Sequence, residues 1–261
     1  MSEGSEKSRK KQKTLLLIIA ILLVVFGSAY FGYYLYNNYS AKQGQNEISS
    51  IVATTITEDE QKVKNPIDFK SLQKKNSDIY AWIKVPGTKV DYPVVQSEEN
   101  DELYLKHSAL DKSWVASGAI YSESVNTTTF EDRVTLIYGH NGYSDTMFTT
   151  LHKFEKKDFF DKHEYFYIYT PESKLTYKII SAFKYDDRHI MNSFDFQNDS
   201  VFLEFIKMIE DPASSNKNVR EELDKELSTE DNIVVLSTCI TNQRSSRYLV
   251  CGVLEKNEKT N

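Results

Sequence analysis

Residues 233–254 read IVVLSTCITNQRSSRYLVCGVL. Ile233–Thr238 is an apolar, β-branched run, Tyr248–Leu254 is a second of the same kind, and polar residues join them. Short runs of this composition bounded by polar segments read as strands. Cys239 closes the first strand, Arg244 and Arg247 follow, and Arg247 leads directly into the second. If the two strands pair, Arg247 returns beside Cys239. A thiol is a nucleophile only as its thiolate, which a positive neighbour favours. The same residues equally describe an inert, packed cysteine and a surface arginine.

Further β-type runs precede this pair: Ala81–Val85, Val90–Val95, Gly118–Ser122, Val134–Tyr138, Tyr165–Tyr169 and Lys174–Phe183. Turn residues such as Pro86-Gly87 and Pro171 bound them. In Lys174–Phe183 the apolar Leu175, Tyr177 and Ile179 alternate with Lys174, Thr176 and Lys178, so one face is buried and the other wet. Eight short strands over this length predict a closed or nearly closed barrel, a mainly β fold with added helices. A helical piece, Phe69–Lys75, opens the domain. A long insertion between Lys184 and Asp231 carries a helix over Val201–Glu210, with Val201, Phe205 and Met208 on one stripe and Asp199 or Ser200 as its cap. Val219–Leu227 reads as a second, charged helix.

The segment TLIYGHN ends a strand with Gly139 and His140. A glycine permits a tight turn from which an imidazole can project, and imidazole suits proton transfer near neutral pH. Of the five histidines, His107, His152 and His163 stand in charged segments and His189 in the long insertion, which leaves His140 at a strand end. The two cysteines, Cys239 and Cys251, are too few for a disulfide scaffold, although one bridge between them is compatible with the count. Neither CxxC nor HxxxH spacing occurs, so no metal or cofactor is expected.

At the other end, a basic cluster over Lys7–Lys13 precedes the uncharged run Thr14–Tyr36. That run has the length of one membrane-spanning helix and exceeds the apolar part of a signal peptide. Positive flanks stay cytoplasmic, so the expectation is a single-pass protein with its N-terminus inside and the rest outside the cell membrane. The expected organisation is a basic tail over 1–13, an anchor over 14–36, a polar stalk over 37–65, a folded domain over 66–256 and a short tail over 257–261. The net charge of −6, with no basic stripe beyond the N-terminus, argues against a nucleic-acid partner.

Taken together and in order behind an N-terminal anchor, TLIYGHN, LSTC and an arginine leading into YLV resemble the sortase family. DIYAWIKVPGTKVDYPVVQ, Asp78–Gln96, is similar to the start of a class B sortase domain, as are the opening helical piece and the long insertion. The resemblance covers roughly Pro66–Leu254. It implies an eight-stranded sortase barrel and a cysteine transpeptidase of Gram-positive bacteria. It implies Cys239 as nucleophile, His140 as general acid and base, and Arg247 as the arginine that steadies substrate and oxyanion, with Arg244 as the competing candidate. Ser237, Thr238, Tyr138 and Leu105 match positions beside the substrate groove. The implied partners are secreted proteins with a C-terminal sorting signal, a lipid II-type peptidoglycan precursor amine, and the bilayer. Some class B members carry an acidic residue just after the cysteine, where this chain has Ile240 and Thr241.

Overall fold

The computed structural model describes residues 16–36, 39, 43, 64–142, 145–221, 223 and 225–260. The basic tail expected over 1–13 and nearly all of the stalk expected over 37–65 lie outside the described residues. Two compact units are present, Met1–Ser40 and Ala41–Asn261. In the first, helix α1, Leu16–Tyr36, is 21 residues long with a mean hydropathy of 2.3, long and apolar enough to cross a membrane.

The second unit is built on β1 (Ile79–Lys84), β2 (Asp91–Val95), β3 (Ile120–Tyr121), β4 (Val134–Tyr138), β5 (Tyr165–Tyr169), β6 (Ser173–Asp186), β7 (Lys217–Val219), β8 (Ile233–Ile240) and β9 (Gln243–Lys259). They are joined in the order β5-β1-β2-β3-β4-β8-β9-β6-β7, and β5 also pairs with β6. That second pairing closes eight strands into the expected barrel and leaves no free edge among them. β7 adds to β6 outside the ring. The β1–β2 hairpin turns at Gly87, whose φ of +77° suits a residue without a Cβ. A Cβ there would also sit 2.2 Å from the His163 ring.

β8 decides how the barrel is layered. It pairs with β4 in parallel and with β9 antiparallel. Its even residues Val234 and Leu236 point into a core with Ile137, Phe166, Tyr177, Tyr248 and Val250. Its odd residues Ile233 and Val235 point into a second core with Leu136, Phe183, Leu249 and Cys251, under helix α5 (Asp199–Glu210). Side chains alternate across a strand, so a strand covered on both faces reads as one continuous apolar run.

Helix α2 (Phe69–Lys75) is capped by Asp68, which accepts from Ser71 N at 3.0 Å and Ser71 Oγ at 2.6 Å. Those bonds from Ser71 hold the Asp68 carboxyl below the usual carboxylate range. Helix α3 (Lys157–Lys162) and helix α4 (Ile190–Ser193) complete the set of described helices.

Several sequence readings change in detail. The cap of α5 is Asn198, whose side chain accepts from Ser200 N and Val201 N, rather than Asp199 or Ser200. The buried stripe is Phe202, Phe205, Ile206 and Ile209, while Val201 and Met208 are only partly covered. In the segment read as a helix over Val219–Leu227, the described residues form no helix, and its first residue ends β7. β6 and β9 extend well past the apolar runs that revealed them, because they pair from Ser173↔Lys259 to Asp186↔Ser246. The ladder holds polar ends that no hydrophobic pattern marks, and it carries β9 beyond residue 256. Replacing the cap, Asn198→Ala, is expected to cost about 1 kcal/mol of stability. Ser200→Ala, which leaves the capping oxygen in place, is expected to be close to neutral; urea denaturation of the two variants checks the assignment.

Candidate active site

Burial along β8 stops abruptly. Residues from Ile233 to Thr238 are buried and Cys239 is exposed. On the alternation above, Cys239 follows Ile233, Val235 and Ser237 on the outer face, just past the cover of the insertion. Cys239 is directly opposite Arg247 on β9. Directly opposed residues of an antiparallel pair project to the same face, with Cβ atoms about 4.5–5.5 Å apart. The register therefore sets the guanidinium stem beside the thiol, as the sequence leads one to expect. Arg247 Nη1 donates to Ser246 O at 3.1 Å, which steadies the head group. The side chain of Arg244 lies outside the described residues. Cys251 faces Val235 within the outer core and is fully buried, and burial pushes its thiol up to about 12. Both cysteines are free, so the bridge compatible with their count is not formed.

β4 brings the histidine. Its parallel register ends on Tyr138↔Ser237, and Gly139 N donates to Ser237 O at 3.1 Å, carrying the pairing one residue further. His140 thus leaves β4 at the level where β8 reaches Cys239. Gly139 is needed for close packing rather than for a positive φ: a Cβ there would lie 2.5 Å from Ile120 Cδ1 and 2.6 Å from the Phe148 ring. His140 Nε2–H donates to the backbone carbonyl of Leu105 at 2.7 Å. That bond places the proton of the neutral ring on Nε2 and leaves the Nδ1 lone pair for proton transfer. Leu105 closes a 3-10 helix, Leu103–Leu105, and Gly118 (φ +56°) passes so near that a Cβ would lie 2.5 Å from Leu105 O.

Around this centre, Tyr138 is half-buried, stacked on Tyr121 with ring centroids 5.3 Å apart. Its hydroxyl lies 3.5 Å from Glu123 and 3.4 Å from His189 Nε2, and His189 pairs with Glu123 at 2.8 Å. Burial, reinforced by the Glu123 charge, pushes the Tyr138 hydroxyl well above its usual range, so it stays protonated. Ser237 and Thr238 are 4% and 2% exposed, held between β4 and β9. Leu105 is partly buried against the core of Trp82 and Tyr104.

Three residues at the centre escape a reading of the sequence. Asn141 Nδ2 lies 3.0 Å from Cys239 O, 3.0 Å from Thr241 Oγ1 and 3.2 Å from His152 Nε2. His152 Nε2 lies 3.0 Å from Cys239 O, and its Nδ1 lies 2.6 Å from Glu155 Oε1. His152 and Glu155 belong to a 3-10 helix, Thr149–Glu155, whose Leu151 and Phe154 enter the barrel core. In a 3-10 helix residues three apart share a face, so Leu151 with Phe154 and His152 with Glu155 form two stacked pairs. That interleaving within LHKFE was the only signal, and a charged segment masked it.

A closed barrel that brings a cysteine, an arginine and a histidine to one level of three neighbouring strands has the parts of a thiol-based acyl-transfer site, and comparison with known proteins gives its family. The sortase domain family matches residues 83–255, and the chain belongs to the sortase family. Sortase B of Staphylococcus aureus is 30% identical over 171 residues, which are 66% of this chain and 67% of that protein. Sortase B of Bacillus anthracis superposes with a TM-score of 0.71 at 25% identity, covering 85% of this chain and 99% of that one. A Streptococcus pyogenes class B sortase involved in pilus biogenesis is 36% identical, with a TM-score of 0.62 over 74% of this chain and 100% of that one. These relatives place it among the class B sortases, and it is an enzyme, a cysteine transpeptidase.

In the native protein, iodoacetamide is expected to label one thiol, at Cys239, and in denaturant two. Mass spectrometry of the labelled peptides checks this; labelling of Cys251 before unfolding would contradict its burial.

Proposed function

We propose that Cys239 is the nucleophile, His140 the general acid and base, and Arg247 the donor to substrate and oxyanion, in a transpeptidation at a C-terminal sorting signal. The observation that carries the reading is the register. Cys239↔Arg247 across β8–β9 and Tyr138↔Ser237 across β4–β8 bring three chain segments to one end of one sheet face. In the first half-reaction the Cys239 thiolate attacks the carbonyl carbon of a Thr-Gly type bond. The oxyanion that forms takes hydrogen bonds from the Arg247 guanidinium, a fixed planar donor. As the C–N bond breaks, protonated His140 gives its proton to the departing amine, and a thioester remains. In the second half-reaction an amine attacks that thioester, His140 takes the amine's proton, and the thiolate leaves.

Tyr138, Leu105, Ser237 and Thr238 are the substrate-binding residues in this reading, beside the cysteine. The acceptor is the amine of a lipid II-type cell-wall precursor. Helix α1 holds the protein in the cell membrane by a single pass, N-terminus inside and enzyme domain outside. A second acceptor, a lysine of another pilin, is favoured by the 36% identity to the S. pyogenes sortase involved in pilus biogenesis. Incubation with a Thr-Gly sorting peptide and either a glycine-based amine or a pilin lysine separates the two, since amine-dependent product forms only with the proper acceptor. Hydrolysis unaffected by any amine would argue for a simple peptidase instead.

Cys239→Ala is expected to abolish turnover. Arg247→Lys is expected to lower the rate by about 10²–10³, mainly in kcat, because the guanidinium bonds strengthen in the transition state. Arg244→Lys is expected to be nearly silent; the reverse pattern in steady-state kinetics would exchange the two arginines. Removing residues 1–63 should leave a soluble, active domain, since among the described residues those of the barrel core begin at Ile67. Aggregation of that fragment would count against the anchor.

A further inference from the structure

We propose that His152, braced by Glu155, is a positioning residue for the nucleophile: together with Asn141 it grips the backbone carbonyl of Cys239 and so sets the direction of the thiol. The inference rests on the reading of Cys239 as nucleophile.

The need for a grip follows from the backbone. The β8–β9 register is regular from Ile233 to Cys239 and then shifts, so that Ile240 faces Gln243 across a turn in which Asn242 has a φ of +61°. A register shift disrupts the ladder and lets the strand bend locally. Cys239 is the last residue before that break, and two side chains bind its carbonyl there. Asn141 Nδ2 comes from the segment after β4, and His152 Nε2 comes from the 3-10 helix that caps the barrel end, each at 3.0 Å. Fixing the peptide plane of a residue fixes the direction of its Cα–Cβ bond, and a nucleophile misplaced by a fraction of an ångström loses rate.

The 3.0 Å approach of Nε2 to a carbonyl oxygen suits His152 as a donor in this arrangement. The Glu155 carboxylate accepts, so His152 Nδ1 carries a hydrogen toward it at 2.6 Å. Asn141 has two Nδ2 hydrogens for three neighbours, namely Cys239 O, Thr241 Oγ1 and His152 Nε2. When Nε2 also carries a hydrogen, it donates to Cys239 O and the two Asn141 hydrogens serve the carbonyl and Thr241. Every acceptor in the cluster is then satisfied. The ring is also held from the side, tilted 32° against Tyr248 with centroids 5.1 Å apart. Leu151 and Phe154, fully buried, root the helix that carries it. His140 has a different tether, the Leu105 carbonyl, so the two histidines are held separately.

Two substitutions at one position separate positioning from packing. His152→Phe keeps a ring against Tyr248 and removes the donor; His152→Gln keeps a donor and removes the ring. The full-length chain in detergent micelles is assayed for cleavage of a Thr-Gly sorting peptide and for the rate of Cys239 alkylation by iodoacetamide. His152→Phe is expected to lower kcat by about tenfold, the effect of one hydrogen bond on a barrier, with the peptide KM within about twofold and with altered alkylation. His152→Gln is expected to recover most of the loss. If His152→Phe melts far below the parent, Glu155→Ala, which leaves the ring in place without its brace, carries the same expectation of lower kcat at constant KM. Equal kcat in the Phe and Gln variants, whether at the parent level or equally reduced, would overturn the proposal. So would an unchanged kcat in Glu155→Ala where that variant carries the test. Cys239→Ala in the same assay keeps the two readings apart. Turnover without Cys239 sinks the nucleophile assignment, whereas a dead Cys239→Ala beside a fully active His152→Phe sinks only the positioning role.

Discussion

The parallel pairing of β4 with β8 is the constraint on which the rest of the site depends. Parallel neighbours cannot be joined by a hairpin, so the chain between them must travel, and here it carries the 3-10 helix Thr149–Glu155, α3, β5, β6, α4, α5 and β7 on the way. The crossover covers the outer face of β8 with α5, and this burial of both faces makes β8 rigid up to Thr238. A rigid strand that emerges from cover at one residue gives an exposed thiol on a fixed footing. The same pairing delivers His140 to the level of that thiol, because Tyr138 lies opposite Ser237 and each chain runs two residues further, to His140 and to Cys239. β9 then returns antiparallel and supplies Arg247 opposite the cysteine. Two kinds of strand pairing on the two edges of one strand thus assemble a site from residues 99 and 107 positions apart in the chain.

Backbone carbonyls do much of the orienting. Leu105 O holds His140, and Cys239 O is held by Asn141 and His152. A carbonyl acceptor is uncharged and stays in place under any titration of its neighbours, so it fixes a ring without drawing the proton fully away. The Asn next to the histidine does not orient it; its amide turns to the cysteine strand. That arrangement differs from the Cys–His–Asn logic of a cysteine peptidase, in which a carboxamide stands behind the imidazole. Beside Tyr138, Glu123 and His189 form a hydrogen-bonded pair that joins the insertion to the segment after β3.

The sequence by itself determined the barrel, because a period of two in Lys174–Phe183 and continuous apolar runs in Ile233–Thr238 and Tyr248–Leu254 are direct imprints of which faces are covered. It determined Cys239, Arg247 and His140 as candidates, because each stands at the margin of an apolar run, and α1 as a separate apolar unit, because 21 uncharged residues leave few alternatives. Tertiary structure alone decided what those marks cannot carry. The polar ends of β6 and β9 are strands only because they pair with each other. Asn198 caps α5 in place of its neighbours because the cap is a matter of backbone geometry, which neighbouring polar residues leave ambiguous. Gly139 serves packing against Ile120 and Phe148, which come from 19 residues before and 9 after. Leu105 contributes its main-chain oxygen, and a main-chain atom has no side-chain signature. His152 stands in a charged stretch and looked like a surface residue; a 3-10 turn rooted in the core brings it to the cysteine, and the contact that gives it meaning spans 87 residues. A local pattern records burial, which each residue experiences where it stands. A hydrogen bond between distant segments leaves no local trace until the chain has closed.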